Sequence, residues 1–276
     1  MLTLAGSTRI LILKTVKPMS SILTEIKKKV LIITLNRPDK FNSFNRAMAL
    51  QLIEELDKAE VNKEVRAIII TGSGKAFCAG QDLSEAIDPN GPGIEKIVAE
   101  HYNPIILKIR NIEKPVIAAV NGVAAGAGAN IALACDIVFA GRSASFIQAF
   151  SKIGLIPDSG GTFTLPRLVG FNMASALMIT GDKVTADEAV QYGMVYKIFD
   201  DNALLDQAIV NADHVAAMPT KAIGLTKRLL NASANNTLAQ QLQMEKEIQV
   251  ESANSHDYQE GVKAFLEKRR PEFKGE

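Results

Sequence analysis

Two kinds of residue in this sequence could do chemistry together: a lone carboxylate and two stretches of very small side chains. Asp158 stands between Pro157 and Ser159-Gly160-Gly161, at the end of a segment (115–162) that opens with the apolar run Val116 to Val120 and the turn Asn121-Gly122. Ala124-Ala125-Gly126-Ala127-Gly128-Ala129 follows, six residues with nothing beyond a methyl group. A helix that begins this way exposes its first backbone N–H groups and lets a ligand approach the main chain. A similar transition lies upstream, where the run Ala67 to Thr71 ends at Gly72-Ser73-Gly74 and Phe77-Cys78-Ala79-Gly80-Gln81-Asp82 comes next. Two strand ends of this kind can converge on one carbonyl oxygen and stabilise an oxyanion. Each alone reads better as a tight turn, and Asp158 alone better as the N-cap of a helix starting near Gly161. The pairing of the two stretches favours the chemical reading.

Composition narrows the classes. The chain has 276 residues, 47% of them hydrophobic, and a formal net charge of +1, as expected for one large globular domain or one domain with a small appendage. Net charge gives no indication of a nucleic-acid surface. No run approaches the ~18 continuous apolar residues of a membrane span. Cys78 and Cys135 lack metal-ligand spacing and read as reduced, buried thiols of a cytoplasmic protein. His101, His214 and His256 are scattered singly, so neither a metal site nor a serine–histidine–acid triad is expected, and each histidine reads as structural or superficial. Residues 1–18 are apolar and basic, with no acid before Glu25. That composition resembles a transit peptide, but Met19-Ser20-Ser21 reads as a natural start and makes 1–18 an N-terminal extension.

The elements that would position these groups alternate. Lys29 to Asn36 reads as a strand ended by Arg37-Pro38-Asp39-Lys40. Asn45 caps a helix through Glu60, with Met48, Leu52, Ile53 and Leu56 as its apolar stripe. Val65 to Thr71 is the next strand, a helix runs from about Ile94 to Arg110, and Val116 to Val120 and Asp136 to Ala140 are further strands. This pattern predicts an α/β core with largely parallel pairing over 19–200. After a short strand at Val195 to Phe199, residues 201–276 read as helices only: Ala203 to Met218, Thr220 to Ala232, Thr237 to Ser252 and His256 to Arg270. No linker separates independent domains, and no internal repeat is visible.

The segments LNRPDKFNSFN, AFCAGQDL, NGVAAGAGANIALACDI and GLIPDSGGT resemble the signature segments of the crotonase family, the enoyl-CoA hydratases and isomerases. The resemblance runs from about Ser20 to the C-terminus. Within the family, these segments and the tail EGVKAFLEKRRPEF are most similar to isomerases that rearrange an aromatic epoxide carried on CoA. The resemblance implies a spiral of ββα units, a C-terminal helical region that forms homotrimers or dimers of trimers, and an acyl-CoA thioester substrate whose CoA makes any separate cofactor unnecessary. It places the thioester oxygen on the backbone N–H groups of Gln81 and Ala127. Ala79 would accept a hydrogen bond from adenine, and Lys40 and Phe41 would lie along the CoA. Gly80, Asp82, Leu83 and Phe150 would border the substrate, with Asp82 capping the donor loop, and Phe265 and Lys268 would reach the nucleotide of a neighbouring subunit. The Gln81 side chain is expected to be incidental.

Hydratases of this family resemble one another in carrying two glutamates, and the matching positions here are Asn130 and Phe150. Neither exchanges a proton at neutral pH, so simple hydration is disfavoured. Asp158 stands where isomerase relatives place their acid. One acid suits an isomerisation because no net proton is gained or lost, and an apolar surround from Phe150, Ile153 and Ile156 would raise its pKa. Asp136 reads as a turn partner. The rival readings are a slow hydratase, an aroyl-CoA dehalogenase-like nucleophile, whose partner tryptophan this chain lacks, and a non-catalytic CoA-ester or RNA-binding protein. For the last, Lys27-Lys28-Lys29 is a run of three cations at a strand entrance.

Overall fold

The computed structural model describes residues 20–276, so the expectations for 1–18 fall outside the described residues. Ten strands occur in chain order: β1 (Ile22–Lys27), β2 (Val30–Leu35), β3 (Ala67–Gly72), β4 (Ala76–Cys78), β5 (Val116–Val120), β6 (Val123–Ala125), β7 (Ile137–Gly141), β8 (Ser145–Ile147), β9 (Lys183–Thr185) and β10 (Lys197–Phe199). They form a six-stranded sheet in the order β1-β2-β3-β5-β7-β10 and a four-stranded sheet in the order β4-β6-β8-β9. In the larger sheet β1 pairs antiparallel with β2, and every other pairing is parallel. Three times the chain leaves the larger sheet, turns and adds a short strand to the smaller one, β3 to β4, β5 to β6 and β7 to β8. It returns through helix after the first two, and after the third only once helices have led to β9, which extends the smaller sheet. That is the ββα spiral.

Burial on both faces explains the near-continuous apolar runs of β2, β3 and β5. Val30, Ile32, Ala67, Ile69, Ile117, Ala119 and Phe139 pack under the helix Leu204–Ala216, which supplies Leu204, Ala208, Ala212 and Ala216. The opposite face joins the main core with the helix Arg46–Val61. Asn45 caps that helix as expected, its side chain accepting from Met48 N, and Met48, Ala49, Leu52, Leu56 and Ala59 are its buried stripe, with Ile53 only partly covered.

Lys27 ends β1 opposite Val30, Lys28 (φ +53°, paired to Asp213 at 2.5 Å) and Lys29 make the hairpin turn, and the run leads into β2 as expected. Three readings change. Strand β1 escaped notice because five of its six residues lie outside the core and lack a clean alternation. The helix expected over 94–110 is Gly93–Lys96, a π turn over Ile97–Tyr102, and Asn103–Asn111. Ala124 and Ala125 belong to β6, and the glycine-rich helix is Ala127–Ala134. The change of element occurs at Gly126, whose φ of +54° and ψ of −127° only glycine adopts readily.

The four C-terminal helices, Leu204–Ala216, Thr220–Ser233, Leu238–Ala253 and His256–Leu266, lie within a few residues of expectation. Among the described residues, no helix is long and apolar enough to cross a membrane. Both cysteines are buried and unpaired, with their thiols pushed up to about 12 by burial, so neither is a ready nucleophile.

Candidate active site

The exit from β4 is laced to an upstream loop. Ala79 N donates to Phe41 O at 3.0 Å, Phe44 N to Gly80 O at 2.7 Å and Asp82 N to Phe44 O at 2.8 Å. This lacing leaves the N–H of Gln81 without a hydrogen-bond partner among the described residues. The upstream loop owes its shape to Asn42, a buried residue at φ +56°. Its side chain donates to Ser73 O and Ala76 O and accepts from Arg37 N. Asparagine tolerates that left-handed conformation better than most residues. Asp82 caps Leu83–Ala86, as expected of a structural carboxylate. It accepts from Ser84 N and pairs with Arg37 at 2.8 Å. Burial would raise its pKa, but the hydrogen bonds from Ser84 and Arg37 outweigh burial and hold it below the usual range.

The second small-residue stretch brings another unspent donor. Ala127 is the first residue of the helix Ala127–Ala134, so its N–H has no intrahelical partner. Gly128 lets that helix sit directly on β4. A Cβ there would lie 2.7 Å from the Sγ and Cβ of Cys78 and closer still to its carbonyl oxygen. A Cβ on Gly80, at φ +93°, would lie 3.0 Å from Ala125 O and 3.6 Å from Ala127 N. The loops bearing the two free N–H groups are therefore in contact, at positions where no larger residue fits.

Asp158 faces the same space. A cavity of about 540 Å³ is bordered by Ala79, Gly80, Gln81, Leu83, Ala127, Phe150 and Asp158 among others, and among the described residues Asp158 is the only carboxylate in its lining. Burial raises the Asp158 pKa above its ordinary value, against a hydrogen bond from Ser159 Oγ to Oδ1 at 2.8 Å. The helix Gly161–Val169 begins with Gly160 at its cap position and no side-chain cap. Asp158 is thus not the N-cap, and its carboxylate remains available to the cavity. Phe150 is buried against this space, whereas Ile153 and Ile156 line it while 55% and 81% exposed. All three apolar residues expected around Asp158 therefore line its cavity, with Phe150 alone among them buried.

Other expected site residues do not line this cavity. Lys40 ends the turn Pro38–Lys40, and Phe41, at φ +49°, contributes its backbone carbonyl to the Ala79 loop while its ring is exposed. Phe265 is 83% exposed on the last helix, and Lys268 lies beyond that helix's end; neither lines the cavity.

The Gln81 side chain is a polar residue of its loop, as expected, and is held at both ends. Tyr102 Oη donates to Gln81 Oε1 at 2.8 Å, and Gln81 Nε2 donates to Glu85 Oε2 at 3.0 Å. Glu85 in turn accepts from Arg46 N. This chain fixes the donor loop from its cavity side. Tyr102 was missed because the π turn that carries it inward breaks the helical period. Burial raises the Tyr102 pKa well above its usual value, so it stays a neutral donor. His101 is buried beside Arg46, and burial and that cation both lower its pKa, consistent with a neutral structural residue. Asp136 is more than a turn partner. It accepts from Val116 N at 2.8 Å and pairs with the buried Lys227 at 2.7 Å, tying a C-terminal helix to the start of β5.

Residues 25–276 match the model of a family described as enoyl-CoA hydratase/isomerase. The chain belongs to that family. It is an enzyme family that acts on acyl-CoA thioesters. The chain is 47% identical over 260 residues to 1,2-epoxyphenylacetyl-CoA isomerase of Escherichia coli (strain K12), covering 93% of this chain and 99% of that protein. It is 35% identical over 257 residues to 2,3-dehydroadipyl-CoA hydratase of the same organism, covering 93% and 100%. A solved enoyl-CoA hydratase from Bacillus anthracis superposes with a TM-score of 0.87 at 36% identity, over 93% of this chain and all of that one.

Proposed function

We propose that this enzyme is an acyl-CoA isomerase in which Asp158 moves one proton within the bound thioester. The observation that carries the reading is the single carboxylate lining a cavity whose floor holds two free amide donors. The thioester oxygen sits between Gln81 N and Ala127 N. Asp158, ionised, takes the proton from the α-carbon, and the electrons move onto the oxygen to give an enolate held by both N–H groups. In a β,γ-enoyl ester the same carboxyl returns the proton to the γ-carbon, leaving an α,β double bond and an ionised Asp158. Each donor contributes on the order of 3 kcal/mol to stabilising the charged intermediate. The raised pKa of Asp158 brings it closer to operating pH and makes it a stronger base once ionised.

The 47% identity to an epoxyphenylacetyl-CoA isomerase supports an aromatic epoxide ester as substrate, with oxepin-CoA as the product. There the C–C bond shared by the epoxide and the six-membered ring opens to give the seven-membered oxepin with no atom gained or lost. Asp158 takes the α-proton, the electrons spread from the enolate through the double bonds of the expanded ring, and the same carboxyl returns the proton to a ring carbon and is left ionised. Hydration is the weaker reading despite the hydratase relatives. Asn130 and Phe150 supply no proton-transferring group, and the Asn130 amide is engaged at both ends. No separate cofactor is required. Homotrimers or dimers of trimers suit the exposed Phe265 and Leu266 on the last helix, and would let Phe265 and Lys268 approach the CoA of a neighbour, with Lys40 and Phe41 along the CoA of their own site.

The test is a panel of acyl-CoA esters assayed with the wild-type enzyme and Asp158→Asn for double-bond migration, ring expansion and water addition. The wild type should catalyse the first two reactions faster than the third, and the variant should bind the esters without turning them over. Fast hydration by both proteins would refute the isomerase reading.

A further inference from the structure

We infer that Asn130 is a positioning residue that fixes the Asp158 carboxylate relative to the two amide donors. The inference rests on the proposed role of Asp158 and concerns how its placement is held. Asn130 lies on the same helix as Ala127, one turn further along, and is 1% exposed. Its Nδ2 donates to the backbone carbonyl of Asp158 at 2.8 Å, and its Oδ1 accepts from Gln148 Nε2 at 2.8 Å. Gln148 is itself buried, so the Asn130 amide has partners on both ends and a fixed orientation. One side chain thus joins the element that bears the second donor to the loop that bears the acid.

That loop has reason to need holding. Ser159 at φ +51° and Gly160 at φ +68° place two consecutive residues in the left-handed region, which serine rarely adopts without support. The Asp158 carbonyl receives two donors, Asn130 Nδ2 and Gly161 N at 2.9 Å, and these set the plane from which the side chain departs. Gly161 makes room for the link. A Cβ there would lie 2.8 Å from Asn130 Cγ and 2.9 Å from its Oδ1. Geometry of this kind matters most when a proton must travel between two carbons of a substrate held at its thioester, since about 1 Å of misplacement can cost roughly 100-fold in rate.

The decisive variant is Asn130→Asp, which keeps the size of the side chain and replaces its donor with a titratable group. Protonated, the new carboxyl can donate to the Asp158 carbonyl; ionised, it repels both that carbonyl and the Asp158 carboxylate. The kcat of this variant for β,γ-enoyl-CoA migration should therefore fall as pH rises through the range where the wild type is at its plateau, giving a descending limb that the wild type lacks. KM should stay within about threefold, since Asn130 touches neither amide donor's N–H. Asn130→Ala should lower kcat by ~10- to 100-fold at all pH values. Melting curves and circular dichroism establish that the proteins assayed are folded. An Asn130→Asp variant that is folded and keeps the wild-type kcat and pH profile would overturn the inference. Near-normal turnover in Asp158→Asn would instead remove the reading on which it rests.

Discussion

The two sides of the cavity are built on different terms. The floor, from β4 and β6 and the helix Ala127–Ala134, is set by contacts so close that glycine is required at Gly80 and Gly128. The outer wall comes from 83–103 and 149–162, where helices are short, a π turn intervenes, and Leu83, Ile94, Ile153 and Ile156 are substantially exposed. On the floor a single added methyl group meets backbone; at Leu83, Ile94, Ile153 and Ile156 on the wall a side chain can change and meet little. The chemistry of the oxyanion therefore belongs to main-chain atoms that substitution cannot easily vary, and the choice of acyl group to side chains that it can.

Predictions follow that difference from the largest effect downward. Asp158→Asn should reduce isomerisation by at least ~100-fold with ester binding retained, as judged by kcat and by direct titration of a CoA ester. Gly128→Ala should force the helix away from Cys78, parting the two donors. The expected cost is on the order of 100-fold in kcat/KM, together with about 1–3 kcal/mol of stability by denaturant unfolding. Tyr102→Phe removes one hydrogen bond from Gln81, worth about 1 kcal/mol, and should lower kcat by roughly fivefold or less. Ile156→Ala, on the wall, should leave kcat for a short ester nearly unchanged and alter only the ranking of acyl groups by KM. A floor substitution with wall-like behaviour would end the comparison.

The carboxylate adds a pH dependence with a definite sign. Folding raises the Asp158 pKa through burial, so its contribution to stability is present below the unfolded-state value, about 3.9, and is lost as pH rises through the folded value. Asp158→Asn should thus melt higher than the wild type at neutral pH, with the gap closing in acid. Activity runs the opposite way. The base must be ionised, so kcat/KM should climb through a pKa above the ordinary aspartate range.

How much of this could be read from residue order depends on how local each cause was. The parallel core was legible because β2, β3 and β5 are nearly continuous apolar runs, and Asn45 announced its helix by its own side chain. The small-residue stretches and Asp158 were legible because their residue types are unusual where they stand. The second sheet was not, since β4, β6, β8 and β9 have three residues each and owe their pairing to distant partners. Nor were the engagements of Gln81 and Asn130, which depend on Tyr102 and Gln148 arriving from elsewhere in the chain. Local composition can mark where a group able to react will be. What holds it is decided by contacts between segments.

The most direct test follows deuterium placed at the α-carbon of a β,γ-enoyl-CoA. If Asp158 carries the proton, part of the label reappears at the γ-carbon of the product made by the wild type, and Asp158→Asn makes essentially no product. Product formed by Asp158→Asn at close to the wild-type rate, with its label distributed as in the wild type, would contradict the account.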